Sequence, residues 1–136
     1  MKINNELTIE EQICVNKEWA EKLKEVGYPQ RDSVFYWAIG GDKCENEWSL
    51  LYSDDEGWSS TDIIAAPIAS ELLERLPSSI DIGHFLIRKH SWGYSINIME
   101  HMSLESNHEE QGKSLANALT KMLIWLVKNE YINFKD

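Results

Sequence analysis

The sequence predicts an α+β domain: a four-stranded, mainly antiparallel sheet built from two hairpins, with three helices packed on it, in the order helix, hairpin, helix, hairpin, helix. Three observations predict it. Apolar residues recur at helical spacing in three stretches, each bounded by a cap residue or a proline. Between those stretches lie two pairs of aromatic and β-branched runs, each pair joined by a turn containing glycine. The chain has 136 residues, enough for one core and too few for two, so residues 1–136 are read as a single domain.

The first helix begins after Asn16, whose side-chain oxygen can accept an orphan backbone N–H, and stops at Gly27, which tolerates a left-handed cap. Trp19, Ala20, Leu23 and Val26 form its inward face, and Glu18, Glu21, Lys22, Lys24 and Glu25 its outward one. The run SVFYWAI from Ser33, the turn signal Gly40-Gly41-Asp42 and the run EWSLLY from Glu47 make the first hairpin. Proline is favoured at a first helical position, so the second helix is placed from Pro67 to Leu76, with Pro77 ending it and Ile68, Leu72, Leu73 and Leu76 as its stripe.

HFLIRK from His84 and YSINIM from Tyr94 make the second hairpin, across a His90-Ser91-Trp92-Gly93 turn. Tyr94, Ile96 and Ile98 alternate with Ser95 and Asn97, which predicts one buried and one wet face. The polar stretches Ser53 to Asp62 and Ser103 to Lys113 read as loops. The last helix covers Ser114 to Asn129, with Leu115, Leu119, Met122, Leu123 and Leu126 as its main stripe. Ile124, Trp125 and Val127 carry apolar surface around the helix near its end. One sheet face cannot cover that circumference. The helix end either sits between the sheet and the first helix or meets a second copy, and a homodimer is the preferred expectation.

Thirteen basic against 23 acidic side chains give a net charge of −10. That field repels phosphate backbones and anionic surfaces, which argues against direct binding of nucleic acid or membrane. The short basic clusters, Lys22 with Lys24 and Arg88-Lys89-His90, read as solvated edges. The N-terminus has no apolar core of a secretory signal, and the longest apolar run, Met122 to Val127, falls far short of the roughly 20 residues a spanning helix needs. These features place the protein in the cytoplasm, with Cys14 and Cys44 reduced and packed as small hydrophobes.

Three stretches carry a resemblance. ICVNKEWAEKLKEVGYPQRDSVFYW is similar to the opening of small uncharacterised proteins encoded by phages, prophages and other mobile elements, in which an AxxLKExG helix leads into an FYW strand. IIAAPIASELLERLPSSI resembles their middle AELxExLP helix, and KMLIWLVKNEYI their closing KMLIYLxxNxxI helix, in the same order. The departures are Pro67 and Ile68, where an aromatic and a Thr cap are expected, and the acidic insert from Glu100 to Gln111. The resemblance implies a shared fold and a mobile-element accessory role, and it brings no assigned activity.

No catalytic, cofactor-binding or metal-binding residue is assigned. Glu100, His101, His108 and Glu109 lack the rigid spacing of a zinc site and read as a mobile, metal-free acidic loop; Asp54, Asp55 and Glu56 ahead of Gly57 read as a turn. No cysteine or serine lies in a nucleophile motif, and no glycine-rich loop opens a helix. The positive signal is six Trp, more than a core of this size requires. Trp48, Trp58, Ile124, Trp125 and Tyr131 are therefore the candidate interaction surface of a non-catalytic protein-interaction or ligand-binding domain. An acidic nucleic-acid mimic that inhibits a basic protein is the second reading, and a small hydrolase with an unrecognised acid/His site the third.

Overall fold

A computed structural model describes residues 14–30, 33–40, 45–52, 62–101 and 105–134. In chain order the elements are α1 (Lys17–Glu25), β1 (Phe35–Gly40), β2 (Glu45–Tyr52), β3 (Asp62–Ala65), α2 (Ala69–Arg75), β4 (Ser79–Ile80), β5 (Gly83–His90), β6 (Gly93–Met99), β7 (Ser106–Gly112) and α3 (Leu115–Lys128). Local capping sets the two longer helices where the sequence places them. Asn16 accepts from Trp19 N–H, Ser114 accepts from Asn117 N–H, and Gly27 takes φ +101° just past the end of α1.

Among the described residues the fold is α+β with three helices, but the strands form two antiparallel sheets instead of one. The first is ordered β2-β1-β3 and the second β4-β5-β6-β7, so the two expected hairpins lie in different sheets. Of the three strands absent from the sequence reading, β3, β4 and β7, two make this possible. β3 pairs with the free side of β1, and β7 pairs with β6, each closing a sheet around its own hairpin.

β7 replaces the loop expected from Glu100 to Gln111. Its residues are polar on both faces, which hides the strand period, and Asn97 of β6 secures it by donating from Nδ2 to Ser106 Oγ at 2.9 Å and to Glu109 Oε1 at 3.1 Å. The same contacts overturn the wet face expected for β6. Ser95 and Asn97 are buried under side chains of the neighbouring strands, with His90 Nε2 2.8 Å from Ser95 Oγ.

α2 starts at Ala69, two residues after the expected Pro67. Pro67 is buried, its carbonyl accepts from Val15 N–H, and Cys14 forms a bridge with Ile68, so the extended backbone here is committed to the segment before α1. Ile68 has no capping oxygen, and Glu71 substitutes by accepting Ile68 N–H at 3.3 Å.

α3 is the centre of the core. It packs against β6 and β7 on one side and against α1 and α2 on the other. Leu119, Met122, Leu123 and Leu126 are fully buried there with Leu23, Leu72, Ile96 and Ile98. Packing within the chain therefore covers most of the apolar circumference of α3. The three-stranded sheet joins through Ile64, Trp37 and Trp48, and Trp37 Nε1 donates to Val15 O at 3.0 Å. Among the described residues, no helix is long and apolar enough to cross a membrane.

Candidate functional site

α1, α3 and β7 enclose an open groove of about 310 Å³. The helical period of α3 supplies one wall, since Lys121, Ile124, Trp125 and Lys128 follow one another at spacings of three, one and three along the same side. Trp19 and Lys22 of α1, with Val26 just past its end, form the opposite wall, and Glu110 of β7 closes one end. Glu25 lies on the rim.

Two stacked systems organise this groove. Lys22 Nζ lies 4.4 Å and Lys121 Nζ 5.2 Å from the centre of the Trp19 ring, so both ammonium groups are drawn to one indole face system. Lys121 Nζ also donates to Gln111 O at 2.8 Å, which ties α3 to the end of β7. On the other side the His108 ring stacks on Trp125, with centroids 3.9 Å apart and planes at 15°, and Trp125 in turn stacks on Tyr131 at 5.7 Å and 19°. His108 Nε2 stands 2.7 Å from Glu110 Oε2. Three ammonium groups against two carboxylates make this a locally cationic, indole-lined cleft on a strongly acidic chain.

The structure brings together only part of the expected surface. Trp125 lines the groove and Tyr131 stacks behind it. Ile124 touches the groove but is only 6 % exposed, so it belongs to the core of the chain and is corrected as a surface residue. Trp48 lies elsewhere, half-buried on β2 with Lys17 Nζ 4.9 Å from its ring. Trp58 falls outside the described residues, as do Asp54, Asp55, Glu56 and Cys44.

Trp19, Lys22, Lys121 and His108 are the site residues that sequence reasoning missed. Trp19 looked like ordinary core and Lys22 like a solvated edge. Their cation–π geometry arises between elements far apart in the chain and leaves no local pattern. The suspected cluster of Glu100, His101, His108 and Glu109 does not assemble. His108 and Glu109 alternate across β7, so they point to opposite faces, and His101 Nε2 donates to Ile80 O at 3.3 Å. Hydrogen bonds from Gln111 at 2.6 Å and Asn97 at 3.1 Å hold the Glu109 carboxyl below its ordinary range. Among the described residues, no three His, Cys, Asp or Glu side chains form a metal-holding group.

A scan against protein-family models, a search of the curated proteins and a search of the solved structures each found no match.

Proposed function

We propose that this chain is a non-catalytic cytoplasmic binding domain that meets its ligand or protein partner at the groove between α1, α3 and β7. The observation that carries this reading is the pair of indoles, Trp19 and Trp125, facing one cleft rimmed by Lys22, Lys121 and Lys128. Indoles offer large contact area at small conformational cost, and their placement at a concave cationic surface suits a partner with apolar and anionic groups side by side. The sequence patterns shared with phage and mobile-element proteins support an accessory role of that kind.

Self-association is one form this contact takes in the proposal, with Trp125 and Tyr131 at its centre and isologous symmetry as the expected arrangement. Sedimentation at tens of micromolar, together with pull-down from the native host, tests both forms. The Trp125→Glu variant should keep its fold and lose the captured partner or the dimer. A variant that unfolds, or one that retains every contact, removes the groove from the function.

A further inference from the structure

We propose that the open edge of β5 is a second docking site, which accepts an acidic, extended peptide segment of a partner protein as an added strand in line with β4. The argument begins at the hairpin turn. His90 and Gly93 face each other across Ser91-Trp92, so they exchange both backbone hydrogen bonds as the closing pair of the ladder. Counting back in steps of two, Arg88, Leu86 and His84 also direct their N–H and C=O groups to β6. Lys89, Ile87 and Phe85 direct theirs the other way.

On that side β4 pairs Ile80 with Gly83 and Ser79 with His84, so its reach along β5 ends at Phe85. Before β4 the chain leads back through Ser78 and Pro77 to α2, which ends the pairing. Among the described residues the backbone of Ile87 and Lys89 thus has no partner strand, and it forms an edge of the kind that strand addition uses.

The side chains along this edge specify what would fit. Phe85 and Ile87 share the face of Ile98 and Ile96, their ladder partners, but α3 packs over β6 and β7 and leaves Ile87 38 % exposed. Trp92, at the turn, is 49 % exposed and stacks on His90 at 4.5 Å. An incoming strand would cover Phe85 and Ile87 with every second side chain on one face, while Trp92, stacked on His90, borders the opposite face with Ser95. Lys89 is exposed on the face of Ile87, and Arg88 is exposed on the opposite face, which it shares with His90 and Glu109. Acidic residues in the added strand would meet Lys89 and Arg88. A second copy paired through its own β5 would instead set Arg88 and Lys89 of both chains along one short ladder, which like-charge repulsion disfavours.

The probe is a short capped peptide alternating Glu and Val, titrated into the full chain while amide hydrogen exchange is followed residue by residue. Exchange should slow at Ile87 and Lys89 and stay unchanged at Leu86 and Arg88, whose amides already bond to β6. A matching Lys–Val peptide should have no effect. Replacing Arg88→Glu and Lys89→Glu together should weaken the acidic peptide by roughly 3- to 30-fold without loss of circular dichroism, while Trp125→Glu should leave its binding intact. Protection confined to other segments, or equal binding of both peptides, would overturn the proposal. So would protection of Ile87 and Lys89 that grows with protein concentration in the absence of peptide, since that would assign the edge to a second copy.

Discussion

Asn117 Oδ1 accepts the backbone N–H of Asn16 at 3.1 Å, while Asn16 Oδ1 accepts the N–H of Trp19 at 3.1 Å. This relay fixes the start of α1 to a buried side chain of the central helix, and so sets the wall of the groove that carries Trp19. It also gives buried Asn117 a reason to be polar on an otherwise apolar helix side.

Asn117→Ala should lower stability by about 1 to 3 kcal/mol, because it leaves the Asn16 N–H without its acceptor. Asn16→Ala should cost about 1 kcal/mol through the lost cap. The two share one relay, so the double variant should cost less than the sum. Urea melts of the four proteins check this, and additivity would show that the two groups act separately.

The relay also marks what the sequence makes legible. α1 and α3 end where they are expected to, because Asn16, Gly27 and Ser114 act on their own neighbours. Pro67 misled because its backbone is used by Val15, a contact with no local signature. β3 is too short to show a period, and β7 is polar on both faces because one faces solvent and the other faces Trp125 through His108 and Glu110. With those two strands unseen, the hairpins had nothing to pair with except each other. The groove was half legible for a related reason: Trp125 announces itself as apolar surplus, but the lysines over Trp19 acquire meaning only when α1 and α3 are brought together.

Leu119 and Thr120 are adjacent and both fully buried, yet their truncations should differ in sign. Leu119→Ala opens a cavity between α3 and its neighbours and should cost roughly 2 to 5 kcal/mol. Thr120 Oγ1 is buried with no hydrogen-bond partner among the described residues. Thr120→Val removes that unsatisfied hydroxyl at nearly the same shape and should gain about 1 kcal/mol. Denaturation midpoints of the two variants decide it, and a Thr120→Val variant less stable than wild type would mean the hydroxyl is bonded.

Gly112 ends β7 where the strand meets the first turn of α3. A Cβ built there would lie 2.6 Å from Ala118 N and 3.0 Å from Ala118 Cα, both backbone atoms that cannot swing aside. Gly112→Ala should therefore push β7 off α3 and destabilise by about 1 to 3 kcal/mol. It should also loosen the Lys121 to Gln111 bond next to the clash and disturb the groove. Faster amide exchange in β7 with β5 unaffected is the expected signature, and wild-type stability would show that the strand end has room to move.

Tyr28 supplies a pH test of the contact between the end of α1 and the rest of the chain. Its ring meets Phe134 edge-on at 5.2 Å, and the Arg75 guanidinium lies 5.7 Å from the ring centre. Burial pushes the phenol up to about 12, with the Glu71 carboxylate acting in the same direction and Arg75 against it. Below pH 10.0, the ordinary value, the phenol is neutral in both folded and unfolded chains and its contribution is fully present. As pH rises from there toward about 12, the unfolded chain releases the proton while the folded chain holds it, so stability falls, by on the order of 1 kcal/mol per pH unit. Tyr28→Phe should flatten the decline over that interval and leave the curve near neutral pH almost unchanged in slope. Parallel alkaline curves for wild type and Tyr28→Phe would show that the phenol is not held neutral by burial and that another group sets the alkaline limit.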